Sequence, residues 1–237
     1  MTTGYITLTR QSGLMNEMRS VANNIANIST TGFRREGVVF SEWVRAAEGP
    51  AGSVSMGTGR VRAMDLSQGT LSQTGGTFDF AIEGEGFFQV QTTDGLRLTR
   101  AGSYTPGPTG ELVNGDGAFL LDAGGAPVFV PPGARTVALA GDGTLSADGV
   151  PLTQIGLVAP ADETAMTHRG GTLFDPGGAV IPAENASVLQ GYVEESNVNP
   201  VLEIARMIEV QRAYELGQKF LDTESKRKDS MIETLTR

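Results

Sequence analysis

None of the 237 residues is cysteine and a single one, His168, is histidine. Thiolate nucleophiles, disulfides, iron–sulfur ligation and zinc sites built on several His are excluded at once, and Ser-His-Asp hydrolysis would have no spare imidazole. His168 lies in the run Met166-Thr167-His168-Arg169-Gly170-Gly171, which reads as a polar loop. Asn114-Gly115-Asp116-Gly117 invites a calcium reading. The EF-hand spacing then fails, with no Glu at the twelfth position, and a hairpin turn explains the same residues. Gly84-Glu85-Gly86 is too short for a dinucleotide fingerprint and precedes a strand instead of opening a helix. Glycoside hydrolysis needs two carboxylates held at a set separation, and nothing in the pattern of 27 acidic residues selects a pair. Against 18 basic residues they leave a net charge of −9, which disfavours phosphate-driven nucleic-acid binding. No catalytic residue, cofactor or metal site is expected.

The elements that would carry any site divide the chain in three. Residues 41–189 hold 7 basic and 16 acidic residues, a net −9, and 26 of the 32 glycines. The flanking segments nearly balance their charges and are glycine-poor. Phe78-Asp79-Phe80-Ala81-Ile82, Gly86-Phe87-Phe88-Gln89-Val90-Gln91, Leu96-Arg97-Leu98-Thr99-Arg100, Ala118-Phe119-Leu120-Leu121 and Pro127-Val128-Phe129-Val130 read as strands separated by Asp-Gly, Asn-Gly and Gly-Gly turns. Residues 77–188 are therefore expected to form an all-β, hairpin-built domain. Residues 36–76, rich in Gly, Ser and Thr, are expected as an extended connector.

Both ends read as helices. Tyr5, Leu8, Ser12, Met15, Ala22 and Ile25 recur at helical steps in the first segment. Asn199 can cap a second helix that Pro200 opens, with Val201, Ile204, Met207, Ile208, Val210, Tyr214, Leu221, Met231 and Leu235 as its apolar stripe. Neither helix would be stable alone, since an isolated helix gains most of its stability by burying a face. Fold class is thus α+β, with terminal helices pairing in the manner of a coiled coil around a central β domain. No stretch reads as a secretory signal or a bilayer span.

Asn23, Asn24 and Asn27 crowd the end of the first helix, and Thr30-Thr31-Gly32-Phe33-Arg34 turns the chain after it. That string resembles the amino-terminal signature of the bacterial flagellar rod and hook family of axial proteins. Ser196-Asn197-Val198, Glu203, Met207-Ile208, Gln211-Arg212-Ala213-Tyr214-Glu215 and Lys219 are similar to its carboxy-terminal signature. Gly86-Phe87-Phe88-Gln89-Val90, Leu98-Thr99-Arg100-Ala101-Gly102-Ser103-Tyr104 and Gly110-Glu111-Leu112-Val113 resemble its central β segment. The short chain and the run Asn197-Val198-Asn199-Pro200 are most similar to the proximal-rod type, with the distal-rod type next.

The resemblance implies a non-enzymatic subunit whose segments 1–35 and 189–237 build the inner tube of the rod. Its partners would be other rod subunits, copies of itself and, during secretion, the flagellar type III export apparatus; no nucleic acid or small-molecule substrate is implied. Its place would be the basal-body rod crossing the periplasm, reached without a cleaved signal peptide. Asn23, Asn24, Asn27, Thr31, Gly32, Phe33, Ser196, Asn197, Val198, Gln211, Arg212 and Tyr214 are the motif residues it marks as interface candidates, the asparagines setting register. Tyr5, Leu8, Met15, Met207, Val210 and Leu221 are expected to pack the helical seam.

Overall fold

The computed structural model describes residues 2–46 and 53–235, with side chains described for residues 7–39, 63–232 and 234. Two compact units result, each drawing on separated pieces of chain. Met1–Ile28, Arg35–Leu66 and Val198–Arg237 form a helical unit, and Ser29–Arg34 with Ser67–Asn197 forms a β unit.

In the helical unit, α1 (Thr2–Ala26) packs against α2 (Pro200–Leu235) and along a hairpin of β1 (Glu36–Ala46) and β2 (Ser53–Met64). Within the stretch 36–76 expected as an extended connector, β1 and β2 pair with each other, from Glu36 opposite Met64 to Ala46 opposite Ser53, with a bulge between Val39 and Phe40, whereas Leu71–Gln73 pairs with Tyr192–Glu194 and belongs to the β unit. Gly, Ser and Thr gave little apolar alternation by which to foresee that pairing. The start of α2 follows its sequence closely. The Asn199 side-chain oxygen accepts from the Val201 and Leu202 amides at 3.1 and 3.2 Å, and Pro200 sits where a missing donor is harmless. At the end of α1, the Asn27 amide group donates to the Asn23 carbonyl at 2.8 Å, closing the last turn.

The β unit is built from antiparallel strands. Its largest sheet joins, in spatial order, Thr167–His168, Leu173–Asp175, Gly95–Thr99, Phe87–Thr92, Phe119–Leu120, Leu112–Asn114 and Tyr104–Pro106. Phe80, Ile82, Phe88, Val90, Leu112, Leu120, Leu145 and Val188 fill one core. Alternation produces it: Val90 and Leu120 face inward while Gln91 and Phe119 face solvent. Asn114-Gly115-Asp116-Gly117 is a turn, in which the Asn114 side chain accepts from the Asp116 and Ala118 amides at 3.0 and 2.8 Å. Gly102 lies flush against the neighbouring chain, where a Cβ would overlap the Phe80 carbonyl oxygen. Tyr104 is enclosed in the core, and burial pushes its phenol well above its ordinary value of 10.

Candidate assembly surface

The two terminal helices run antiparallel, because α1 touches α2 first near its end and then near its beginning. Asn24 meets Glu203 at 3.1 Å, Glu17 receives the Arg206 Nε–H at 2.6 Å, and Gln11 donates to the Tyr214 carbonyl at 2.9 Å. Gly217 permits the last approach, since a Cβ there would collide with the Gln11 amide. The face that α1 buries is unexpectedly polar: Gln11, Glu17, Ser20 and Asn24 are buried alongside Leu14 and Val21. Polar residues at core positions interrupt an apolar stripe, which is why Gln11, Glu17 and Gly217 gave no periodic signal in the sequence.

Helix α2 also presents apolar side chains to solvent, Val201, Ile204 and Ile208 on the side away from Val210 and the seam, and Leu216 and Phe220 along a groove whose other wall is Thr7, Arg10, Gln11 and Leu14 of α1. Val201, Leu202, Ile204, Ile208, Leu216 and Phe220 are all exposed, Leu216 to 66 % of its surface, while Val210 on the seam side keeps 2 %. Six large apolar side chains on one helix exceed the scattered exposure normal for a monomer surface.

In the β unit, Ser29–Arg34 is anchored by a second polar cluster. Gly32, at φ +73°, donates to the Glu194 carbonyl at 2.7 Å and presses so close to Arg100 and Ala101 that no side chain fits. Phe33 is fully buried, its ring edge-on to His168 at 5.9 Å, and His168 in turn lies 5.3 Å from Phe174. His168 is accordingly a half-buried strand residue among aromatic rings, not a solvated loop residue. Glu194 is enclosed between Arg34 at 2.6 Å and Arg100 at 3.0 Å, and accepts from the Gly69 amide at 2.8 Å. Burial lowers the Arg100 pKa to about 10, with the positive charge of Arg34 adding to that and Glu194 opposing it. At neutral pH both guanidinium groups remain charged around one carboxylate.

The sequence-marked residues distribute unevenly over these surfaces. Asn24 and Val198 are buried in the helical unit, Gly32 and Phe33 in the β unit. Asn23, Asn27, Thr31, Ser196 and Asn197 are half-buried; the Asn197 amide group donates to the Ser67 carbonyl at 2.9 Å. Gln211 and Arg212 face solvent, and Tyr214 is half-buried. Of the expected seam residues Val210 is buried, Met15, Met207 and Leu221 are half-buried, and Leu8 is exposed. The side chain of Tyr5 lies outside the described residues. Arg34, Arg100 and Glu194 were not singled out as site residues, because a charged residue carries no sign in the sequence that it will be enclosed.

Three family patterns match in chain order: "Flagella basal body rod protein" over residues 8–34, "Flagellar hook protein FlgE/F/G D1 domain" over 81–147, and "Flagellar basal body rod FlgEFG protein C-terminal" over 189–234. The flagellar basal-body rod protein FlgF of Caulobacter vibrioides is 40 % identical over 98 % of this chain and 96 % of its own length. The chain belongs to the flagellar basal-body rod FlgE/F/G family. Its similarity leans to one branch of that family: the FlgF protein of Mesorhizobium japonicum is 35 % identical over 98 % of this chain and 96 % of its own. The basal-body rod protein FlgG of Buchnera aphidicola subsp. Schizaphis graminum is 32 % identical over 92 % of each. It is a family of structural rod proteins, not of enzymes, and among the described residues no group of side chains is arranged to hold a metal ion.

Proposed function

We propose that this rod-family chain is a subunit of the proximal rod that polymerises through its terminal helices. The observation that supports this most directly is the apolar outward face of α2. A contact between that face and a different surface of the next subunit is heterologous, and repeated heterologous contacts generate open helical assemblies of the kind a rod requires. In this reading Val201, Ile204, Ile208 and Leu216 of one subunit, with Leu8 on α1, pack on neighbouring subunits. Met15, Met207, Val210, Tyr214 and Leu221 hold the helical seam, and Asn23, Asn27, Gln211 and Arg212 supply polar contacts that fix register.

The partners are copies of this chain and other axial rod proteins, in the part of the basal body that crosses the periplasm. Delivery is by the flagellar type III export apparatus, and a chain without cysteine, hence without disulfides, suits passage in an unfolded state. The FlgG matches favour a distal-rod subunit as the second reading. Deleting the native gene and complementing it with the wild-type chain or with Leu216→Asp tests the assignment. Wild type restores motility and co-purifies with the proximal basal body, whereas the variant folds, is exported and fails to assemble. Full motility with the variant contradicts the proposal.

A further inference from the structure

The turn Asn114-Gly115-Asp116-Gly117 carries the chain's single Asn-Gly step, and nothing in the rod reading uses it. An asparagine before glycine is chemically labile, because no Cβ shields the following backbone nitrogen from the side-chain carboxamide. The β unit encloses this step. Asn114 ends the strand Leu112–Asn114, lies opposite Tyr104 and keeps 7 % of its surface. Its Oδ1 accepts from the Asp116 and Ala118 amides at 3.0 and 2.8 Å, its N–H donates to the Ala118 carbonyl at 3.0 Å, and its carbonyl accepts from the Gly117 N–H at 3.0 Å. Side chain and backbone are thereby both fixed. Closing a ring onto Cγ requires Cβ and the Gly115 nitrogen to eclipse one another about the Cα–C bond, whereas an extended antiparallel backbone holds them roughly 100° apart.

We propose that Asn114-Gly115 is a modification site gated by folding: the folded β unit blocks its deamidation and the unfolded chain permits it. In the unfolded chain the Gly115 nitrogen attacks Asn114 Cγ, its proton passing through water to the departing nitrogen. The N–Cγ bond forms, the Cγ–Nδ2 bond breaks and ammonia leaves, which gives a cyclic succinimide. Water then opens the ring. Addition at Cγ yields aspartate and addition at the Asn114 backbone carbonyl carbon yields isoaspartate; water is consumed, ammonia is released and no oxidation state changes. The products differ in what they do to the hairpin. Aspartate keeps an acceptor for the Asp116 and Ala118 amides. Isoaspartate routes the main chain through Cβ and lengthens it between Val113 and Gly115, which breaks the backbone bonds to Gly117 and Ala118 and the register of Val113 opposite Phe119 that seats Leu112 and Leu120 in the core. Time spent unfolded therefore sorts chains into those that still fold and those that do not, and folding closes the site.

This chemistry belongs to the β unit and does not rest on the polymerisation proposal. The test compares deamidation of the full-length chain at one pH in native buffer and in a denaturant that unfolds the β unit. Mass spectrometry reads the change from amide to acid at Asn114, and a peptide of residues 108–122 run in both buffers removes any effect of the denaturant itself. Deamidation at Asn114 should be at least about tenfold faster in the unfolded chain, because the folded one reacts only through opening of the hairpin. Gly115→Ala is the matched variant. Its φ lies outside the left-handed region and an added Cβ meets nothing within 4 Å, so the fold accepts it. Its methyl group should slow the unfolded-state reaction about tenfold, by shielding the attacking nitrogen. After separation and return to native buffer, aspartate chains should regain β circular dichroism and isoaspartate chains should not. Equal rates in the folded and unfolded chain, an unchanged unfolded-state rate in Gly115→Ala, or refolding of the isoaspartate chains overturns the proposal.

Discussion

The β unit and the helical unit bury different things. In the β unit Phe80, Phe88, Leu112 and Leu120 are fully enclosed, and the one deeply buried carboxylate, Glu194, has two arginines and a backbone amide around it. The helical unit buries Gln11, Glu17 and Asn24 in its seam and, among the described residues, leaves eight large apolar side chains of α2 in solvent, Met231 and Ile232 besides the six named above. A displayed apolar face is the kind of surface that a partner covers. Under the proposed function the halves have separate tasks: the β unit, whose exposed apolar residues Phe119, Phe129, Val150 and Ile181 lie on separate segments, is a body in its own right, and the helical unit carries the surface that assembles.

If the β unit is self-sufficient, its sharpest damage should come from its own interior. Gly102→Ala drives a methyl group into the Phe80 carbonyl and should destabilise that unit by more than about 4 kcal/mol, read from denaturant unfolding of the full chain. Glu194→Gln leaves two buried guanidinium groups without their carboxylate and should remove about 3–5 kcal/mol by the same measurement. A loss under about 1 kcal/mol in either variant would blur the distinction between the units.

Alkali should find the same interior. Because burial raises the Tyr104 pKa in the folded state, folding favours the protonated phenol: its contribution is fully present below pH 10 and is lost as pH climbs above that value. Near-ultraviolet absorbance should show one phenol ionising together with the unfolding of the β unit. Ionisation of every phenol before any loss of β circular dichroism would contradict its enclosure.

The smallest effect on the monomer belongs to the helical unit. Ile208→Gln should change stability by less than about 0.5 kcal/mol, as exposed substitutions do, yet abolish incorporation into basal bodies. A large loss of monomer stability would mean that this face is already covered within the subunit.

Legibility in the sequence followed the same division. Alternation and Gly turns revealed strands at Phe87–Thr92 and Gly95–Thr99, and Asn199-Pro200 marked the start of α2 within the residues that form it. The hairpin of β1 and β2 was not foreseen beyond its being extended, because Ser53–Met64 carries Gly, Ser and Thr where an alternating strand would carry apolar residues. The stripe through Leu8, Ser12, Met15 and Ala22 differs from the face that α1 buries, which runs through Gln11, Leu14, Glu17, Val21 and Asn24. Apolar periodicity locates a buried face only when that face is apolar, and here polar residues with specific partners occupy it. The motif string Asn23 to Arg34 was visible as a pattern. Its physical content, an amide paired with a strand backbone and a glycine pressed against another chain segment, depends on residues distant in sequence.

The chain has no native cysteine, so Leu216→Cys creates a unique probe of the outward face of α2. Maleimide labelling of that variant, compared between the dilute monomer and purified basal bodies, tests the division of tasks most directly. Rapid labelling in the monomer and at least about tenfold slower labelling in the basal body is the expected result, since a side chain in a packed interface is excluded from solvent. Equal labelling in both states would show that this face is not where the subunits meet.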